Sequence, residues 1–277
     1  MKIIFFGTPE YVVPIVDRLH KYHEIVAVVT QPPKPVGRDQ IISYSAVDTW
    51  AHKKKIIKFF DFSDLPKADL GICASYGSII PKEVINSFKF GILNIHPSLL
   101  PKYRGASPIQ TAIANGETET GVTIIKMDEK MDHGPIVAKF KDEILAIDTF
   151  ETLRTRLFSN SIPVLLDLIE PYSKGKVNPK AQDKTQVTFT KIVSKQDGFV
   201  DLIKDDPVSI ERKLRAYSPW PGIWTLVDGK RLKILKAHIA DGQLTPDEVH
   251  LEGKKPVGWR QFIRSYPKFN ILNHNKI

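Results

Sequence analysis

The amino-acid sequence predicts an α/β protein in which a doubly wound, mostly parallel sheet is followed by a small β-rich part. Three observations carry this prediction. The first 30 residues contain an apolar run, a helical repeat and a β-branched run, which is the pattern of a βαβ unit. Apolar runs of strand length then continue to about residue 140, with a long helical pattern after them. From about Pro171 the chain becomes polar, and its later apolar runs are joined by a hairpin signal.

The first part begins with the apolar residues 2–6 and the turn Gly7-Thr8-Pro9. Thr8 is predicted as a helix N-cap, with Pro9 at the first helical position. The helix Asp148–Glu170 has Asp148 and Glu151 at capping-box spacing, and Pro163 is expected to kink or break it. Other strands are predicted over Ile25–Thr30, Asp69–Ala74, Gly91–Ile95, Gly121–Met127 and Ile136–Phe140, and other helices over Pro81–Phe88 and Pro108–Ala114.

The later part is predicted to begin with a linker over residues 171–184, followed by a small β domain. An open barrel is the candidate architecture for this domain. A helix is predicted over Pro207–Ala216, and Asp228-Gly229 is a hairpin turn signal. Strands are predicted over Gly222–Val227, Leu232–Ala237 and Glu248–Leu251.

Composition narrows the class of protein. With 42% hydrophobic and 26% charged residues, the chain of 277 residues is an ordinary globular sequence of one large or two modest domains. No apolar run approaches the roughly 18 residues of a membrane span, and Met1–Gly7 lacks the features of a signal peptide. The single cysteine, Cys73, excludes an intrachain disulfide and a multi-cysteine zinc site. We therefore expect a cytoplasmic protein without a membrane partner.

The positive charge is concentrated towards the end of the chain. Residues 1–180 have 23 basic and 20 acidic side chains, whereas the last 97 residues have 17 basic and 11 acidic ones. A basic module favours a polyanionic partner, with nucleic acid first. The alternative is a basic surface that only keeps the protein soluble.

Common nucleotide, metal and hydrolase motifs are missing from the sequence. Gly7 follows the first strand, but it stands alone where a dinucleotide fingerprint needs three glycines, and no Gly-Lys-Ser/Thr occurs. A His-Glu-x-x-His pair and a Gly-x-Ser-x-Gly elbow are also missing, so the sequence predicts no metal site and no serine hydrolase.

Asn94 and His96 are the first candidate catalytic residues. They lie two residues apart at the end of an apolar strand, so their side chains share one face. Ligands bind beyond the carboxyl ends of strands in an open parallel sheet. An amide donor beside a proton carrier suits acyl transfer through a tetrahedral oxyanion. The alternative is a structural role, in which Asn94 is a buried, hydrogen-bonded residue and His96 is a core residue whose nitrogens both have partners. An Asn-x-His pair taken alone favours this alternative.

Asp132 lies in an acidic loop, residues 127–135, between two predicted strands. A carboxylate there could orient a histidine across a cleft. His133 is a rival proton carrier. The alternative is a turn in which the aspartate caps its own backbone.

Seven segments together resemble the methionyl-tRNA formyltransferase branch of the folate-dependent formyltransferases, in order over roughly residues 1–240. They are Phe-Phe-Gly-Thr-Pro-Glu (5–10), Thr-Gln-Pro-Pro-Lys-Pro-Val-Gly-Arg (30–38), Ala-Ser-Tyr-Gly-Ser-Ile-Ile-Pro (74–81), Leu-Asn-Ile-His-Pro-Ser-Leu-Leu-Pro-Lys-Tyr-Arg-Gly (93–105), Glu-Thr-Gly-Val-Thr (119–123), Met-Asp-His-Gly-Pro (131–135) and Ala-Tyr-Ser-Pro-Trp-Pro-Gly (216–222).

The resemblance implies a fold and a reaction. It implies a catalytic domain of the formyltransferase fold over residues 1–170, a linker over 171–190 and an OB-like, tRNA-binding domain over 191–277. The reaction would move the formyl group of 10-formyltetrahydrofolate to the α-amino group of methionine on initiator tRNA. We expect a monomer in the cytoplasm.

The resemblance also implies the site residues. Asn94, His96 and Asp132 would be the catalytic trio, with Asn94 on the oxyanion, His96 as proton carrier and Asp132 orienting it. Residues 31–42 would engage the tRNA acceptor end, with Arg38 as the key contact and Lys34 as its basic companion. The folate site would be lined by Ser98, Leu99, Leu100 and Pro101, and its pterin pocket by Tyr76 and Gly77 within residues 74–80.

Other acceptors fit the same trio. Sugar-amine formyltransferases share it and also carry a small β domain, and glycinamide ribonucleotide formyltransferases share it in a single domain. The loop of residues 31–38 and the basic tail favour tRNA. A catalytically silent RNA-binding protein on this fold is a third class, which the intact trio disfavours.

Overall fold

The computed structural model describes residues 1–37 and 39–267, which form two compact units. The first unit comprises Met1–Gly105, Thr120–Asp142 and Arg154–Phe189. The second comprises Ala106–Glu119, Glu143–Leu153 and the residues from Thr190 onward. The domain limits 1–170, 171–190 and 191–277 stay a prediction.

Strands and helices alternate through the first half of the chain, and strands dominate towards its end. The strands are β1 (Lys2–Gly7), β2 (Glu24–Val29), β3 (Lys34–Val36), β4 (Ile41–Ser43), β5 (Ile57–Phe59), β6 (Leu70–Ala74), β7 (Ile92–His96), β8 (Arg104–Gly105), β9 (Glu119–Lys126), β10 (Ile136–Glu143), β11 (Phe189–Thr190), β12 (Ile223–Val227), β13 (Lys230–Ala240), β14 (Gln243–Leu251) and β15 (Val257–Gly258). The α-helices are α1 (Val13–Tyr22), α2 (Ala46–Lys54), α3 (Lys82–Asn86), α4 (Pro108–Asn115), α5 (Phe150–Ser173), α6 (Pro207–Tyr217) and α7 (Trp259–Ser265). Short 3-10 helices span Glu10–Val12, Lys184–Gln186 and Lys195–Gly198.

The central sheet has the strand order β10-β9-β7-β6-β1-β2-β5. β1 pairs in parallel with β2 and β6, and β6 pairs in parallel with β7, whereas β7 and β9 are antiparallel. The inner strands are near-continuous apolar runs because both faces are covered; Ile3, Ile4, Phe5 and Phe6 have no exposed surface. This arrangement brings the carboxyl ends of β1, β6 and β7 to one edge of the sheet.

The second unit contains an antiparallel sheet in the order β12-β13-β14-β15. Alternate residues of β13 and β14 are buried, and α7 adds Trp259 and Phe262 to the same core. Helix α4 packs against α6 within this unit. The mostly parallel sheet followed by this antiparallel sheet confirms the predicted fold class. Among the described residues, no helix combines the length and the apolar character that crossing a bilayer requires.

The local predictions at Asp148 and Thr8 were wrong. Helix α5 begins at Phe150, and Thr149 rather than Asp148 exchanges the capping hydrogen bonds, with Thr152. Thr8 caps no helix, because Glu10–Val12 forms a 3-10 turn first and α1 begins at Val13; its hydroxyl instead donates to the carbonyl of Tyr76 at 2.8 Å. Pro163 was expected to kink or break the long helix; the break is wrong, since α5 continues through Pro163 to Ser173, and the kink stays a prediction. Packing of the buried residues Leu157, Phe158 and Leu165 along α5 offsets the hydrogen bond that the proline removes.

Candidate active site

Asn94 and His96 lie at the carboxyl end of β7, between β6 and β9 of the central sheet. The register places Asn94 beside Cys73 of β6 and His96 beside Thr123 of β9. Asn94 is half-buried, and the His96 residue is 4% exposed. Both side chains lie on the same face, as the two-residue spacing predicts.

The two ring nitrogens of His96 have different partners. Nε2 lies 2.9 Å from the carbonyl oxygen of Tyr103, and Nδ1 lies 3.4 Å from Oδ1 of Asp132. A carbonyl oxygen only accepts, so Nε2 carries a proton and donates it to Tyr103. Nδ1 is therefore the nitrogen that can take up or release a proton, and it faces Asp132.

Asp132 completes the cluster. Its Oδ1 lies 3.4 Å from both Nδ2 of Asn94 and Nδ1 of His96, and its Oδ2 accepts the backbone N–H of Gly105 at 2.8 Å. The two 3.4 Å contacts are long for hydrogen bonds. The structure thus brings the predicted trio together, with one carboxylate oxygen between the amide and the imidazole.

The catalytic loop, which we define as residues 131–135, has a restricted backbone. Asp132 has a φ of +49°, in the left-handed region that side chains rarely adopt. A Cβ at Gly134 would lie 1.8 Å from the carbonyl oxygen of Lys126, so this position admits only glycine in the present backbone. His133, the rival proton carrier, pairs through Nδ1 with Oδ2 of Asp128 at 2.6 Å and is about one-third exposed. His133 is therefore paired with the carboxylate of Asp128 and not with that of Asp132.

The segment predicted to line the folate site follows β7. Ser98 is buried and its hydroxyl donates to the carbonyl of Lys102 at 2.7 Å. The N–H of Leu100, which is also buried, donates to the hydroxyl of Thr123 at 3.0 Å. Leu99 and Pro101 are half-buried, and the Leu100-Pro101 peptide bond is cis. Ser98 and Leu100 thus fix the shape of the segment, whereas Leu99 and Pro101 keep part of their surface exposed, where a ligand can contact it.

Tyr76 and Gly77 follow β6. Tyr76 is buried, with its ring edge-on to Phe6, and its carbonyl oxygen accepts from Thr8. Gly77 is exposed at a φ of +86°. Tyr76 therefore supports this edge of the sheet, and Gly77 lies on its surface.

A cleft of about 300 Å³ adjoins the catalytic loop. Lys82 on α3 and Glu129 face each other across it at 2.8 Å. The cleft is lined by Lys82, Ile85, Asn86, Met127, Asp128, Glu129, Lys130 and His133. It offers both apolar and charged surface beside His133 of the catalytic loop.

Residues 34–43 form a hairpin, which we call the acceptor hairpin, in which β3 pairs antiparallel with β4. Lys34 is exposed on β3. Arg38, the predicted key contact, lies outside the described residues. The apolar side chains of Val36, Ile41 and Ile42 are each at least half exposed.

Sequence reasoning missed Gln182, which it placed in a linker, and the contact of Gln182 with Arg104. The side-chain amide of Gln182 donates to the carbonyl oxygens of Asp132 and Gly134, both at 2.8 Å. The guanidinium of Arg104 donates to Oε1 of Gln182 through Nε at 3.1 Å and Nη2 at 2.7 Å. No local pattern could have found this pair, since the two residues are 78 positions apart.

Cys73 lies in β6 beside Asn94 but is not a nucleophile. Burial raises the pKa of its thiol from 9.0 to about 12, so the thiolate is scarce at neutral pH. Within the described residues, no group of three or more histidine, cysteine or carboxylate side chains is arranged to hold a metal ion.

Comparison with known proteins assigns this architecture. The family profile described as "Formyl transferase" matches residues 1–169, and the profile "Formyl transferase, C-terminal domain" matches residues 192–245. The chain is 37% identical over 253 residues to a methionyl-tRNA formyltransferase of Caldanaerobacter subterraneus subsp. tengcongensis, with 87% of this chain and 82% of that protein covered.

Two solved structures share the fold at low sequence identity. The methionyl-tRNA formyltransferase of Clostridium thermocellum superposes with a TM-score of 0.60 at 19% identity, covering 91% of this chain and 98% of that one. An N-formyltransferase of Helicobacter canadensis, in complex with folinic acid and dTDP-3-aminofucose, gives 0.67 at 20% identity, covering 93% and 98%.

Proposed function

This chain belongs to the methionyl-tRNA formyltransferase family, and we propose that it transfers a formyl group from 10-formyltetrahydrofolate to the α-amino group of methionyl initiator tRNA. The observation that carries this proposal is the convergence of Asn94, His96 and Asp132 at the carboxyl end of β7. An amide donor, a proton carrier and an orienting carboxylate are the groups that acyl transfer to an amine needs.

The reaction begins with attack of the neutral methionine amine on the formyl carbon. A C–N bond forms, and the carbonyl electron pair moves to oxygen. Nδ2 of Asn94 donates a hydrogen bond to this oxyanion, where charge develops. The amide is held within reach of the reacting atoms because Asp132 contacts its Nδ2 at 3.4 Å.

His96 moves the proton. Its Nδ1 takes the proton that the attacking amine loses and delivers it to the departing folate nitrogen. The electron pair on the oxyanion then re-forms the carbonyl as the bond between that nitrogen and the formyl carbon breaks. The Nε2–H donated to Tyr103 keeps the ring in one orientation, and the Asp132 carboxylate at Nδ1 stabilises the transient positive charge. Asp132 therefore acts through His96 and Asn94.

The formyl donor lies along the loops that surround the trio. We assign its contacts to Leu99, Pro101 and Gly77, with Ser98, Leu100 and Tyr76 as the buried supports that shape these contacts. The cleft beside the catalytic loop offers apolar and charged surface for further contact. The proposed reaction uses folate as co-substrate and no metal.

The acceptor hairpin and the second unit bind the tRNA. In the hairpin, Lys34 offers a phosphate contact and the exposed Val36 and Ile41 offer apolar surface to unpaired bases. In this proposal Arg38 makes the key contact with the acceptor end of the tRNA. The excess of basic residues in the last 97 positions supplies the sequence-independent attraction to the tRNA backbone. A monomeric, cytoplasmic enzyme fits these roles.

A sugar amine is the other acceptor that the trio would serve. Solved structures of sugar formyltransferases share the fold at about 20% identity. An identity this low shows the fold and not the substrate. The curated relative at 37% identity is named for methionyl-tRNA, so we propose tRNA alone.

The decisive test is formyl transfer from 10-formyltetrahydrofolate to methionyl-tRNA, beside a panel of nucleotide-linked amino sugars. We expect transfer to methionyl-tRNA that falls about 10²- to 10⁴-fold in His96→Ala. His52→Ala is the control, since His52 is exposed on α2, away from the catalytic loop in sequence and outside the trio. Transfer to an amino sugar alone would overturn the tRNA proposal, and equal activity of His96→Ala would overturn the mechanism.

A further inference from the structure

We propose that Gln182 is a positioning residue for Asp132, and that Arg104 orients Gln182 for this role. The inference rests on the proposed function, because it concerns how the catalytic trio is held in place. All of the residues involved belong to the first unit. Gln182 touches no reacting atom; it acts through the main chain of the catalytic loop.

The side-chain amide of Gln182 holds the loop at two points. Its Nε2 carries two hydrogens, and the carbonyl oxygens of Asp132 and Gly134 each accept one at 2.8 Å. These carbonyls lie on either side of His133, so one amide group sets their spacing. Gln182 is 9% exposed, and water has little access to replace it.

Arg104 fixes which end of the amide faces the loop. A guanidinium only donates, so the atom it contacts through Nε and Nη2 must be Oε1 of Gln182. Nε2 is then directed to the carbonyl oxygens. Arg104 is itself 5% exposed, and the hydrogen bond from Gly105, its neighbour in β8, reaches Oδ2 of Asp132 at 2.8 Å.

Asp132 is thus held at both ends. Its carboxylate receives the Gly105 N–H, and its main-chain carbonyl receives the Gln182 amide. Its φ of +49° is unfavourable for a residue with a Cβ, so the loop needs such contacts to keep this conformation. Backbone bonds in both directions between Lys180 and Ile136, at 2.7 and 2.8 Å, place the segment that carries Gln182.

The test compares three variants of the full chain. Gln182→Met keeps the length of the side chain without its hydrogen bonds. Gln182→Glu keeps the acceptor that faces Arg104 and removes both donors to the loop. Gln186→Met is the matched control, since Gln186 lies in the same segment, is exposed and donates its side-chain amide to Asp183 rather than to the catalytic loop.

We expect kcat to fall about 10²-fold in both Gln182 variants, since a displacement of about 1 Å at a reacting group costs this much, while KM for both substrates matches that of Gln186→Met. The second readout is the amide-proton resonance of Gly105, measured by NMR. It moves to higher field in the Gln182 variants because its bond to the Asp132 carboxylate is weakened, and it stays in place in Gln186→Met.

Several outcomes would overturn the proposal. One is a pair of folded Gln182 variants with the kcat of the control, and another is a lower kcat with an unmoved Gly105 resonance. Unfolding of both variants would make Gln182 a stability residue instead. If wild-type protein fails to formylate methionyl-tRNA, the proposed function fails, whereas the Gly105 resonance still reports on the positioning of Asp132.

Discussion

In the catalytic loop, both carboxylate oxygens and the main-chain carbonyl of Asp132 have a partner within 3.4 Å. In the acceptor hairpin, every described residue from Lys34 to Ser43 is exposed, and the ladder between β3 and β4 is its main support. Both regions belong to the first unit. In the proposed function, the chemistry depends on a buried polar network with little tolerance for change, whereas tRNA recognition uses an exposed hairpin of low local stability that can adapt to its partner.

Thiol labelling gives the largest expected contrast between the two regions. Burial raises the pKa of Cys73 from 9.0 to about 12, so its thiolate fraction at neutral pH falls about 10³-fold. A variant Ile41→Cys places a second thiol in the hairpin, where Ile41 is 67% exposed. We expect one fast label per chain in this variant and none in native wild type, as measured by mass spectrometry. Fast labelling of Cys73 in the native protein would contradict the buried centre.

Removal of the oxyanion donor is the next largest effect. Asn94→Ala is expected to lower kcat by about 10²–10³, because one preorganised donor to the developing charge is lost. The matched control is Asn160→Ala, whose amide donates to Asp142 at the surface. Steady-state kinetics with a folded variant check this, and near wild-type turnover would refute the assignment.

A single methyl group in the catalytic loop is expected to cost about 10- to 10²-fold in kcat. In Gly134→Ala the Cβ would meet the carbonyl oxygen of Lys126 at 1.8 Å, so the loop must move. Gly37→Ala in the hairpin is the control: its φ of +73° adds about 1 kcal/mol of strain, but no atom lies within 4 Å of the new Cβ. Kinetics and urea unfolding of both variants separate displacement from strain. Equal kcat in the two variants would remove the distinction between the regions.

The smallest effect is expected in the hairpin. Lys34→Ala should raise KM for tRNA a few-fold and reduce the slope of log affinity against log salt by about 1, with kcat unchanged. The exposed Lys67 provides the control Lys67→Ala. Titration of tRNA binding at several salt concentrations measures the slope. An unchanged slope would exclude Lys34 from the contact.

The sequence predicted the central sheet well because strand runs such as residues 3–6 are apolar on both faces and leave few alternatives. Its failures at Thr8 and Pro163 have a common cause: tertiary contacts decided between local options. Thr8 bonds to Tyr76, 68 positions away, instead of capping a helix. The catalytic assignments of Asn94, His96 and Asp132 stay a prediction about activity, although the structure brings them together.

Gln182 shows what sequence reasoning cannot reach. Its surroundings, residues 171–184, are polar and contain prolines, and that composition is typical of a connecting segment. Its partners Arg104 and Asp132 are 78 and 50 positions away. The left-handed backbone of Asp132 also cannot be predicted from the sequence, because most aspartates adopt other backbone conformations.

The backbone pairing of Lys180 with Ile136 has a consequence for protein engineering. The family profile ends at residue 169, and a fragment designed to that limit would look complete by sequence alignment. Such a truncation would discard the chain that lies against β10 and leave the buried guanidinium of Arg104 without the amide oxygen of Gln182. Chimeras that exchange the chain from Thr190 onward for that of another family member should therefore be joined after Phe189, so that the first unit keeps the downstream segment that pairs with it.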